Sequence, residues 1–153
     1  MFINNFHIFT WIFFAFYGFV FSKNWFDYYY VLINLMTAIS WTLFKDECVF
    51  SLLQKWSIDP TYKMGTNPRS EDLLNLFGEK YYTTMLYINK AFTFIKAWST
   101  YIVLTRMGYP YSLFVSVMYL FYSLIKINYT LYRGFFFILF IFVIFNLKRT
   151  DYY

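Results

Sequence analysis

Residues 41–65, WTLFKDECVFSLLQKWSIDPTYKMG, mark the point at which this chain changes solvent. Two strongly apolar runs precede the stretch, and the only long polar segment of the chain follows it. Directly after Phe44 the character becomes charged. Asp46 is placed to cap a new helix. Val49, Leu52, Leu53 and Trp56 then fall at i, i+3, i+4 and i+7, leaving Lys45, Gln54 and Lys55 for water. That pattern predicts an amphipathic helix lying along a membrane surface, or a bent continuation of the run before it. The following SIDPTYKMGTNP, residues 57–68, holds two prolines, a glycine and several turn formers, and so reads as a loop. Ser70 is placed as the N-cap of SEDLLNLFG, with acidic residues in its first turn and Gly78 at its end.

On either side of this stretch the sequence favours lipid. Hydrophobic residues make up 60% of the 153 and charged residues only 14%, too few to clothe a water-soluble domain of this size. The fold class predicted is all-α, a multi-pass transmembrane bundle of five spans, or four, with a central interfacial segment. The first span covers about Phe6 to Phe21 and the second about Tyr28 to Phe44. MFINNFHIF lacks a basic leader region and no small-residue cleavage site follows, so the first span is expected to remain in the mature protein. Trp25 and the run Tyr28, Tyr29, Tyr30 suit the headgroup boundary. Asn34, Thr37 and Ser40 recur on one face and are expected to bond across a helix contact. A third span from Tyr81 to Gly108 is the least apolar, because it contains Lys90 and Lys96. Pro110 starts the fourth, and the fifth runs from about Tyr129 to Leu147, stopping at Lys148 and Arg149. Domain organisation follows: a two-span hairpin over 1–44, a polar interfacial segment over 45–80, and a membrane region of two or three spans over 81–153.

Charge gives a sidedness. Lys45, Lys55, Lys63, Arg69, Lys80, Lys126 and Arg133 share the face of the central segment, against Lys23, Arg106, Lys148 and Arg149 opposite. The positive-inside rule puts the central segment on the cytoplasmic or equivalent side. On that face His7, Asp46, Glu47 and Cys48 come together. One histidine and one cysteine make a poor zinc set, so no metal is assigned, and Glu47 is expected instead to pair with a nearby lysine. Cys48, the only cysteine, excludes an intramolecular disulfide and reads as a small buried residue. His7 itself reads as an interfacial polar group, with a ligand or proton-handling role as the alternative. Asn128, Tyr129 and Thr130 match a glycosylation acceptor by accident of position.

No nucleophile, base and oxyanion-donor set is present, and neither is a phosphate-cradling glycine loop. The chain is therefore expected to be no enzyme, to carry no cofactor, and to bind neither nucleic acid nor a small-molecule substrate. Its net charge of +5 is scattered through loops, which fits anionic lipid headgroups. Candidate interaction residues are His7, Trp41, Asp46, Glu47, Cys48, Ser51, Tyr62, Lys90 and Lys96.

Trp41, Glu47, Cys48 and Ser51, followed by Asp59, Pro60, Tyr62 and Gly65, give the chain a resemblance. The spacing is similar to a pattern in small multi-pass membrane proteins of nucleocytoplasmic large DNA viruses, the giant viruses. There it accompanies a histidine in the first span, here His7, and an HW pair closing the second, where this chain has Ser40 before Trp41. The resemblance covers the first half of the chain and implies no activity. What it implies is a virion inner-membrane or host-membrane setting.

Three functions stay open on these grounds. The first is a non-catalytic membrane subunit that anchors or scaffolds a larger assembly, with membrane lipids and other protein subunits as partners. The same aromatic spans and A/T-rich codon bias fit a supernumerary subunit of a mitochondrial respiratory or ATP synthase complex, in the inner membrane. The remaining class is an oligomeric channel or transporter, with Lys90 and Lys96 lining an anion or proton path.

Overall fold

A computed structural model describes residues 2–45, 47–67, 71–124 and 130–147, the side chains of 2–7, 50, 71–72 and 130–132 excepted. Six helices and no strand occur among the described residues: α1 Phe2–Val20, α2 Phe26–Leu43, α3 Val49–Ile58, α4 Glu71–Arg106, α5 Ser112–Leu124 and α6 Thr130–Asn146. The all-α expectation is met, and element positions track the sequence pattern closely.

Local chemistry sets the boundaries. Asn24 Oδ1 accepts the Phe26 N–H at 2.8 Å while Asp27 Oδ2 accepts the Asn24 N–H at 3.4 Å, so the pair brackets the start of α2 like a capping box. At Gly78, φ is +72°, and helical geometry breaks there before resuming through Arg106. The stop expected at Gly78 is thus present: two helical stretches meet across a kink there, and both are counted in α4. Gly108, with φ +76°, closes α4 as a Schellman motif: Tyr109 N–H donates to Leu104 O and Gly108 N–H to Thr105 O, each at 2.9 Å. Pro110 lies in the turn that leads into α5, since a proline cannot continue the helix that has just ended.

The core is shared by α1, α2, α4, α5 and α6, with Tyr30, Leu35, Leu104, Tyr119 and Phe140 among its fully enclosed side chains. Tyr30, which the sequence places at a membrane boundary, is instead a hub. Its hydroxyl lies 2.9 Å from the Phe14 carbonyl and 2.8 Å from Ser99 Oγ, and Ser99 Oγ accepts the Gly18 N–H at 2.7 Å. A phenol has one proton; given to Phe14, it leaves Ser99 to donate to Tyr30, and every group is served. The stripe Asn34, Thr37, Ser40 crosses a helix contact only at Asn34, which reaches Thr100 at 3.5 Å. Thr37 and Ser40 donate back to carbonyls of their own helix, Ile33 and Thr37.

Close approach of α1 and α4 depends on Gly18. A Cβ there would stand 2.4 Å from the Ser99 carbonyl oxygen and 2.7 Å from Ser99 Oγ. Backbone cannot retreat as a flexible side chain does, so Gly18→Ala should cost about 3 kcal/mol by overpacking, read as a lowered thermal midpoint. A variant within about 0.5 kcal/mol of the native chain would show that the two helices separate freely.

Length is where the membrane expectation meets resistance. No helix among the described residues is long and apolar enough to cross a membrane. At ~1.5 Å per residue α5 reaches only ~20 Å and α6 ~26 Å, against ~30 Å of hydrocarbon. The first, α1, begins with Asn4, Asn5 and His7; α2 carries Asp27; and α4 is interrupted at Gly78 and bears Lys90 and Lys96. The five spans, or four, therefore find no support in helix length.

Candidate functional site

The stretch that opens the polar segment folds back on itself around one carboxylate. Glu47 is 1% exposed, and its Oε1 accepts from the Tyr62 hydroxyl and from the Gly65 N–H, each at 2.6 Å. Its Oε2 lies 3.5 Å from the Lys55 ammonium, itself 6% exposed. Lys55 also donates to the Asn67 carbonyl, while the Asn67 N–H donates to the Tyr62 hydroxyl at 3.0 Å. Each buried polar group of this knot has a partner, which offsets the desolvation of the charges.

Chain geometry supplies the pieces. Lys55 reaches Glu47 because residues 51, 52 and 55 form one face of α3, and Ser51, Leu52 and Lys55 are all buried there. Gly65 has φ +86°, and a Cβ there would stand 2.9 Å from the Lys45 side chain. Glycine thus lets the backbone turn its N–H toward Glu47. Asp59 shapes the turn between: its Oδ1 accepts from the Thr61 N–H at 2.9 Å and the Thr61 hydroxyl at 2.7 Å. Those bonds hold the Asp59 carboxyl below its ordinary pKa. Trp56 Nε1 donates to the Tyr62 carbonyl at 3.1 Å and pins the loop to α3.

Several expectations change here. The expected lysine partner of Glu47 exists, but it is Lys55, which the helical pattern had given to water. Of the expected apolar face of α3, Leu52 is buried while Leu53 and Trp56 are exposed. The buried face is mixed because an ion pair, once closed by Tyr62 and Gly65, takes the inner side and turns those two side chains outward. Cys48, not Asp46, occupies the N-cap of α3, with extended backbone and no side-chain cap bond; Asp46 lies outside the described residues.

Other candidates are dispersed. Residue 7 belongs to α1, but the His7 side chain lies outside the described residues, as do Asn128 and Tyr129 of the glycosylation match. Trp41 is half-buried on α2, and Cys48 is half-buried. Lys90 is exposed, its ammonium 5.5 Å from the Tyr87 ring centroid. Lys96 points inward, 5.7 Å from the centroids of Phe14 and Tyr119. The two lysines expected to share a path thus lie in different surroundings. Among the described residues, no group of three or more His, Cys, Asp or Glu is placed to hold a metal.

One cluster was missed entirely. Asp27 is fully buried, accepting from the Tyr17 hydroxyl at 2.8 Å and from Arg106 Nε at 2.8 Å, with a second bond from Arg106 Nη2. Arg106 also caps the Phe21 carbonyl beyond α1, and its guanidinium lies over the Tyr17 ring. The signal was present as the only acidic residue before Asp46, but nothing local names a partner 79 residues away.

Compared with protein families, curated proteins and solved structures, the chain matches none.

Proposed function

We propose that this protein is a non-catalytic integral membrane subunit that anchors or scaffolds a larger assembly. One observation carries that reading: polar groups are gathered inside the helices and large apolar side chains cover their outside. Asp27, Asn34, Ser99 and Thr100 are fully buried, while Ile138 is 69% and Phe145 85% exposed. Phe9, Ile12, Phe16 and Phe19 line the outside of α1, and Leu113, Phe114, Val117 and Phe121 that of α5, two helices without a single Lys, Arg, Asp or Glu. Helix faces this apolar and this exposed call for lipid or another protein.

Short helices are compatible with this role where the bilayer thins around them or a partner completes the apolar band. The knotted loop over 59–67, largely exposed and fastened from beneath by Glu47, supplies a rigid face for neighbouring subunits. The resemblance noted above favours a giant-virus virion or host membrane over a mitochondrial one.

Ile138→Lys separates lipid from water. At mid-helix in hydrocarbon a lysine costs about 2.5–3.5 kcal/mol, whereas an exposed aqueous site tolerates it within about 0.5 kcal/mol. Folded, membrane-retained protein should fall sharply for this variant in carbonate-washed membranes. Recovery of the native chain as a soluble, monodisperse species without detergent would end the proposal.

A further inference from the structure

Where α2, α4 and α5 meet, the interior holds a cation and three polar atoms that lack partners. Lys96 Nζ on α4 lies between the rings of Phe14 and Tyr119, both buried, and makes no hydrogen bond or ion pair among the described residues. Tyr119 OH, Ser116 Oγ and Asn34 Oδ1 are buried and likewise without hydrogen-bond partners among the described residues. Ser116 and Tyr119 stand at i and i+3, hence on one face of α5. Asn34 reaches Thr100, which is one turn beyond Lys96 on α4, so α2 turns its amide toward the same seam.

Among the described residues, no carboxylate pairs with the ammonium. Tyr30 faces the seam from α2 and Tyr119 from α5, and Cys48 lies near enough to act on the charge of Lys96. The two buried carboxylates among the described residues are committed elsewhere: Asp27 to Tyr17 and Arg106, Glu47 to Tyr62, Gly65 and Lys55. Two aromatic faces recover only part of what an ammonium loses on leaving water.

We propose that this seam binds a small monovalent anion of the chloride type, held by Lys96 Nζ and the hydroxyls of Tyr119 and Ser116. One positive charge balances one negative. Hydroxyl rotors re-aim toward a spherical ion, whereas a phosphate or carboxylate is better met by a guanidinium fork or a helix N-terminus, and the seam offers neither. The inference does not depend on the membrane reading.

The test is ³⁵Cl line broadening on the purified full chain at constant ionic strength, with gluconate replacing chloride. Saturable broadening that bromide displaces is expected. Tyr119→Phe should weaken binding about tenfold, the size of one hydrogen bond to a charged group, and Lys96→Met should abolish it. Should Lys96→Met fail to fold, Tyr119→Phe decides alone. Its second readout is the thermal midpoint in gluconate, which should rise or stay level, because an unpartnered hydroxyl has been removed. No saturable broadening by the native chain, or equal broadening by the native chain and Tyr119→Phe, would overturn the site.

Discussion

Glu47→Ala should lower the unfolding free energy by about 3–5 kcal/mol, because it strands the Lys55 ammonium in a closed site and leaves Tyr62 and Gly65 without their acceptor. For a chain of this length that corresponds to a fall in Tm of roughly 6–20 °C. The sign of the effect comes from the charge left behind, so the double variant Glu47→Leu, Lys55→Met should recover most of the loss. Near-ultraviolet circular dichroism on heating measures both. A single variant that melts with the native chain would mean the carboxylate is dispensable and the loop is held by other contacts.

Asp27→Ala should cost a similar amount, about 3–5 kcal/mol, since it abandons the Arg106 guanidinium beside a buried Tyr17. Here the consequence is long-range, because the pair joins the first turn of α2 to the last turn of α4. A double-mutant cycle of Asp27→Ala and Arg106→Ala should show a coupling above about 1 kcal/mol, as close charged pairs do. Additive losses would show that the two side chains stabilise the fold separately. Proteolysis within residues 21–25 should quicken in Asp27→Ala, because Asn24 loses the carboxylate that accepts its N–H.

What the sequence disclosed, and what it withheld, divides along chain distance. Gly78, Gly108 and Pro110 announce their breaks because each acts through its own backbone. Glu47, Tyr62 and Gly65 were legible as a spacing, and the lysine partner as a general expectation, because all lie within 18 residues. Their geometry was not legible: helical periodicity assigned Lys55 to water, since hydropathy cannot register that a loop returning from Pro60 will bring Tyr62 and Asn67 over it. The hub of Tyr30 with Ser99, and the contact of Gly18 with Ser99, join residues 69 and 81 positions apart. Tyr30 had a plausible place at a bilayer boundary because a tyrosine's amphipathic ring suits an interface and a buried network equally well. Helix length failed for another reason. Apolar runs were matched to spans by position alone, whereas α5 and α6 hold only 13 and 17 residues, and α1, α2 and α4 carry Asn4, Asn5 and His7, Asp27, and Lys90 and Lys96.

The short reach of the Glu47 knot bears on the order of events at the ribosome. Every group that closes it lies between residues 47 and 67, so loop-closure entropy is small and the knot can form once that much chain has emerged. The clasp of Asp27 must wait until residue 106 has been made. Nascent chains arrested between these two points should already protect the peptide bonds around Tyr62 from protease while the first helical pair is still open.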